Sequence, residues 1–111
     1  MFDFQKDFRF IAPVKVLVPT LDGQQEKTFT AEFRLVPKDE MEKAVKGKGA
    51  DESLIAMRLA LVGWKDDLTQ KGAPWPFTPD RRDELLSVPY CLGAVSMAYW
   101  RQVQGVLVEK N

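Results

Sequence analysis

Histidine is absent from the 111 residues, and cysteine occurs once, as Cys91. The first absence removes the commonest general base, the usual activator of a serine or cysteine nucleophile, and the commonest metal ligand. The second rules out an internal disulfide and suits a reducing compartment. An excess of one charge is missing too. Lys and Arg together number 16, as do Asp and Glu, and residues 1 to 36 carry five of each sign. Without a basic stripe there is nothing to displace counterions from phosphates, and without a polybasic patch nothing to hold an anionic membrane surface. Neither nucleic acid nor membrane is expected as a partner. The longest apolar stretch, Leu54 to Val62, is broken by Arg58 and falls well short of the ~20 residues that cross a bilayer. No charged start followed by an apolar run opens the chain, so no signal peptide is expected.

What is present belongs to the globular class, with 45% hydrophobic and 29% charged residues. The length fits a single domain over residues 1–111, and no repeat, low-complexity tract or linker divides it. Strand patterning comes first. Val14 to Thr20 is rich in β-branched residues, with Val14, Val16 and Val18 on one face and Pro19 at the end or on an edge. Asp22-Gly23 marks a turn. Lys27 to Val36 then alternates, with Phe29, Ala31, Phe33 and Leu35 on one side and Thr28, Thr30, Glu32 and Arg34 on the other. This predicts a β-hairpin over 14–36 with one apolar face. Upstream, Phe2, Phe4, Phe8 and Phe10 alternate with polar residues, which leaves room for an extra N-terminal strand.

Helical patterning fills residues 37–105. Pro37 to Lys46 has a first-turn proline, acidic residues at its start and a Met41, Ala44, Val45 stripe. Asp51 is a plausible N-cap for a second helix to about Val62, closed by Gly63. Trp64 to Phe77 reads as a loop. Thr78-Pro79-Asp80 opens a third helix containing Leu85 and Leu86, and Pro89 separates it from a fourth that runs to Gln104, with Gly105 as its stop. In that last helix Leu92, Val95, Tyr99 and Val103 share a stripe. Strands followed by helices imply an α+β fold: an N-terminal antiparallel hairpin packed against about four α-helices.

No constellation of catalytic residues emerges. Asp66-Asp67 and Asp51-Glu52 are adjacent carboxylates in solvated or capping contexts, with no EF-hand spacing. Cys91 sits among apolar residues with no base to activate it. Gly47-Lys48-Gly49 lacks the spacing of a phosphate loop and follows a helix. The chain therefore reads as a non-enzyme without metal or cofactor, and the residues to account for are aromatic. Trp64, Trp75, Phe77 and Trp100 are the candidate protein-binding side chains. Trp75 is held between two prolines and is rigid, which favours an anchor. Trp100 follows Tyr99 directly, so the two face different ways on a helix; if Tyr99 packs inward, Trp100 points to solvent or a partner.

Three stretches, in order, carry a family resemblance. The first is Thr28-Phe29-Thr30-Ala31-Glu32-Phe33-Arg34 followed by Leu35-Val36-Pro37-Lys38-Asp39-Glu40. The second is Leu61-Val62-Gly63-Trp64-Lys65-Asp66. The third is Gly72-Ala73-Pro74-Trp75-Pro76-Phe77-Thr78-Pro79 leading to Leu85-Leu86-Ser87-Val88-Pro89 and a final amphipathic helix. From roughly Phe8 to Gln104 the chain resembles the small tail assembly chaperones of long-tailed bacteriophages and prophages. The resemblance implies a protein that binds the tape-measure protein, keeps its long hydrophobic helices in solution, and helps recruit tail-tube subunits in the cytoplasm of the bacterial host. It assigns no role to Trp75. The alternative expectation is a small adaptor or inhibitor that captures another protein without an assembly role.

Overall fold

The computed structural model describes Phe2, Phe4 and residues 8–104. Two strands of 12 residues each, β1 (Arg9–Thr20) and β2 (Gly23–Arg34), pair antiparallel along their whole length, from Arg9 opposite Arg34 to Thr20 opposite Gly23. Gly23 has φ +128°, the positive value the predicted turn requires of a glycine. The alternation expected from the sequence is realised. Ala12, Val14, Val16, Phe29, Ala31 and Phe33 are buried on one face, while Lys15 and Thr28 are exposed on the other.

The hairpin is longer than its predicted span of 14–36 at its N-terminal end. Of the Phe2, Phe4, Phe8 and Phe10 alternation, Phe10 lies within β1 and Phe8 just before it; the extra strand expected upstream falls largely on residues outside those described. Pro13 lies within β1 and is tolerated because β1 is an edge of the β1-β2-β3 sheet. A proline there has no ladder bond to lose on the open side.

After the sheet's second strand come α1 (Lys38–Val45), a single 3₁₀ turn at Gly49–Asp51, and α2 (Glu52–Ala60). Asp51 is the N-cap of α2 but makes no side-chain capping bond. The predicted helix to Val62 ends two residues early. Leu61–Trp64 is a strand, β3, antiparallel to β2, and Gly63 is part of it and caps nothing. Leu61 pairs with Phe33 and is fully buried. A side chain at 63 would meet the Glu32 carboxylate, since a Cβ there would lie 2.8 Å from Glu32 Oε1. The residues 37–105 are thus not wholly helical; they return one strand to the sheet.

The stretch expected as a loop, Trp64 to Phe77, contains that strand's last residue and a small hairpin, β4 (Thr69–Gln70) with β5 (Ala73–Pro74), turned at Lys71-Gly72. Asp67 ties this region to β2: the backbone N–H and the hydroxyl of Thr30 both donate to its carboxylate, at 3.1 and 2.8 Å. That accounts for one of the paired carboxylates as a structural clamp. Helix α3 (Pro79–Leu86) starts as predicted, with the Thr78 hydroxyl accepting from Arg81 N–H. Helix α4 (Pro89–Gln104) has the predicted bounds. Gly105 and the tail beyond it lie outside the described residues.

The fold is therefore α+β, with a three-stranded antiparallel sheet, a two-stranded hairpin and four α-helices among the described residues. The helices cover the apolar face of the sheet. α4 lies against β1, and α2 packs on α1, α3 and α4. The buried residues form one cluster, from Val14 on the sheet to Met57, Leu86, Val95 and Tyr99 on the helices, and no buried polar or charged residue interrupts it among the described residues. A hairpin alone is marginal in water, so this helical cover is what stabilises the sheet. Among the described residues no helix is long and apolar enough to cross a membrane.

Candidate functional site

Tyr99 and Trp100 divide as a helix requires. Tyr99 is 0% exposed and Trp100 is 37% exposed. The two rings meet edge to face at 5.0 Å between centroids. Tyr99 also packs against Phe33 at 5.4 Å and Phe10 at 6.0 Å, which sets its ring between α4 and the sheet. Its hydroxyl accepts a hydrogen bond of 3.1 Å from the Val36 N–H, a backbone group that follows β2 and would otherwise be buried without a partner. Burial raises the Tyr99 pKa, opposed by that hydrogen bond and by the nearby Arg34 charge. The phenol is a fixed structural post.

On this post rests a groove of about 630 Å³ between the β2–α1 connection and α4. Leu35, Val36 and Pro37 from the connection, Met41 of α1, and Tyr99, Trp100 and Val103 of α4 line it. The geometry has a local cause at each position. Val103 stands one turn beyond Tyr99 on α4. Met41 is the buried member of the α1 stripe. The Arg34–Glu40 ion pair holds the start of α1 beside the end of β2, and the hydrogen bond from Arg34 Nε to Leu59 O ties the same strand end to the last turn of α2. Lys38, Asp39 and Glu42 supply a charged rim. Trp100 is a partition, because its other side faces a smaller cleft of about 240 Å³ with Met41, Val45 and Ala56.

The remaining candidates lie elsewhere and are brought together there. Trp64 stacks on Trp75 with centroids 5.5 Å apart and planes at 14°, and it meets Phe77 edge to face at 4.9 Å. Trp64 Nε1–H donates to the carbonyl of Trp75. The Arg81 guanidinium lies 5.7 Å over the Trp75 ring and donates to the carbonyl of Pro76 at 2.9 Å. All three aromatic residues are half-buried. They fasten the β4–β5 hairpin and the approach to α3 onto the sheet, where Trp64 also touches Phe29. The four sequence candidates thus separate into a trio that fill one another's contacts and a single ring, Trp100, on an open groove.

Sequence reasoning missed Leu35, Val36, Pro37, Met41, Val103 and Phe4 as groove residues. Their only shared signal was hydrophobicity. The chemistry available in the groove is apolar contact with a polar rim. Cys91 is half-buried and its thiol pKa is raised by desolvation, which opposes a reactive thiolate. Among the described residues there is no cluster of three or more His, Cys, Asp or Glu side chains placed to hold a metal ion. No protein family, curated protein or solved structure matches the chain.

Proposed function

We propose that the protein binds a partner protein through the groove beside Trp100, and that it does so as a tail assembly chaperone of a bacteriophage or prophage. The observation that carries the binding reading is the arrangement of two adjacent rings: a buried, hydrogen-bonded Tyr99 as a rigid floor, and a partly exposed Trp100 as a wall over an apolar space. Pre-organised aromatic surface of this kind loses little side-chain entropy on binding and gains contact area, which is why tryptophan is enriched among interface residues that dominate affinity. An amphipathic helix laid in a groove between two elements presents apolar residues at i, i+3 or i+4 and i+7 to such a surface. The particular client, the tape-measure protein with its long hydrophobic helices, comes from the resemblance in the order of sequence motifs, as do assistance to the tail-tube protein and a place in the host cytoplasm.

Co-expression with a tape-measure protein encoded beside the chain tests the reading. The expected result is a complex that co-purifies and a higher soluble yield of the tape-measure protein. Trp100→Ala should weaken that complex by ~10-fold or more, the loss typical of a dominant interface tryptophan. Absence of a complex together with unchanged solubility overturns the chaperone proposal. A pull-down in which mass spectrometry identifies a captured protein with no part in the tail would favour the adaptor or inhibitor alternative.

A further inference from the structure

The two edges of the long hairpin are unequal. The Thr30 N–H donates to Asp67, and the Thr30 carbonyl accepts from the Lys65 N–H at 2.9 Å, so both groups point away from β1. Backbone groups of an antiparallel strand point the same way at every second residue, so those of Thr28, Glu26 and Gln24 share that direction. On β1 the outward positions are the partners of these residues. Two of them are prolines, Pro13 opposite Thr30 and Pro19 opposite Gln24, and a third, opposite Thr28, is Lys15. Missing N–H groups and a charge blunt that edge against a further strand, and α4 lies against β1 as well.

The β2 edge has no such protection below Thr30. β3 pairs with Ala31, Glu32 and Phe33, and the Asp67 carboxylate completes the rung at Thr30 as a strand carbonyl would. At the next rungs the N–H and C=O of Thr28 and of Glu26 have no hydrogen-bond partner among the described residues. Lys27 and Thr28 are exposed there and border a cavity of about 390 Å³ on the buried face of the hairpin. Its walls are Val16, Val18 and Phe29 of the sheet, with Leu85, Tyr90 and Cys91 where α3 passes to α4. Open donors and acceptors at strand spacing fit an extended polypeptide. A helix has already spent its own backbone groups. Charge narrows the fit further, because Glu26, on the exposed face, makes no ion pair among the described residues.

We propose that the β2 edge from Thr28 to Gln24 takes an extended segment of a partner polypeptide. The segment continues the line of β3, antiparallel to β2. Residues opposite one another share a face of the sheet. The segment therefore sets an apolar side chain opposite Lys27 into the cavity and a basic side chain opposite Glu26 on the exposed face. This site is separate from the groove beside Trp100 and does not depend on it. A second copy of the chain fits less well. Antiparallel pairing of two β2 edges centred on Glu26 or on Lys27 sets that residue against its own counterpart, and like charges directly opposite are destabilising.

The probe is an acetylated heptapeptide amide in which valine alternates with lysine. One counterpart replaces lysine with glutamate. Another is N-methylated at the lysines, the residues whose N–H would face β2. Binding of the lysine peptide to the full chain should slow hydrogen exchange at the Thr28 and Glu26 amides by ~10-fold or more and retard alkylation of Cys91. Both counterparts should bind ~3- to 10-fold more weakly. Thr28→Pro removes an outward N–H at an edge position of the kind where β1 carries proline. It should weaken binding by ~3- to 10-fold with an unchanged melting temperature. Glu26→Lys, a surface change, should reverse the preference between the lysine and glutamate peptides, which keeps the test decisive if the proline variant misfolds. Trp100→Ala should leave peptide binding unchanged; loss of binding there moves the peptide to the groove and overturns the proposal. No binding of the lysine peptide, binding without protection of Thr28 and Glu26, or equal binding of all three peptides also overturns it. So does protection of these amides that rises with protein concentration in the absence of peptide, which assigns the edge to a second copy.

Discussion

Two groups of aromatic rings stand in the same small protein and are used in opposite ways. In the first, Trp64, Trp75 and Phe77 turn their faces and edges on one another, an indole N–H is spent on a carbonyl, and Arg81 covers the outer ring. In the second, Tyr99 is buried and hydrogen-bonded while Trp100 walls an apolar groove of about 630 Å³. Both groups are aromatic and each contains tryptophan, so composition does not separate a closed cluster from an open groove. What separates them is whether the contacts of each ring are already taken. The trio staples an otherwise thinly held segment, residues 65–78, onto the sheet. The groove is built over a rigid post and keeps its apolar space open.

The comparison breaks most sharply at the post. Tyr99→Ala removes a fully buried ring and leaves the Val36 N–H without its partner. It should cost ~3–5 kcal/mol and collapse the groove, read as a large fall in the thermal midpoint together with loss of client binding. Next comes the closed cluster. Trp64→Ala should cost ~2–4 kcal/mol, less than a fully buried ring because Trp64 is half-buried. It should lower the thermal midpoint by ~10 °C or more while the residual folded fraction still binds client. If this variant lost client affinity with an unchanged midpoint, the trio would be the docking surface and the contrast would be reversed. Trp100→Ala should show the opposite signature, a stability loss of ~1–2 kcal/mol with the larger effect on binding.

The smallest effect is confined to alkaline solution. Burial raises the Tyr99 phenol above its ordinary 10.0 and the Cys91 thiol above its ordinary 9.0. The unfolded chain thus releases these protons first, so the stabilising contribution is complete below the unfolded values and is lost as pH climbs through the folded ones. Denaturant midpoints should be flat across neutral pH as far as these two groups are concerned and decline from about pH 9 upward. Tyr99→Phe should remove the phenol's share of the decline while retaining the thiol's.

The parts of this architecture written in local periodicity were legible in the sequence. Alternation in Lys27 to Val36 gave the buried face of the hairpin, and the proline-bounded stripe in the last helix gave both Tyr99 inward and Trp100 outward. The third strand was not legible, because Leu54 to Val62 is apolar almost throughout and satisfies a buried helix and a buried strand equally. The choice is made by tertiary pairing, where Leu61 meets Phe33 and Gly63 makes room for Glu32. The small hairpin at Thr69 to Pro74 has no apolar alternation to announce it. The groove was invisible for a stronger reason. Its walls come from the end of the second strand, the first helix and the last helix, and no local pattern records that Val36 and Tyr99 meet.

That meeting has a consequence for timing. The hydrogen bond between Val36 and Tyr99 joins positions 63 residues apart, and contacts of such long sequence separation must wait for the intervening chain. A nascent polypeptide that has emerged as far as the third helix can already pair its first two strands, yet its groove still lacks Tyr99, Trp100 and Val103. The groove beside Trp100 is complete only when the last helix has left the ribosome and docked against the sheet.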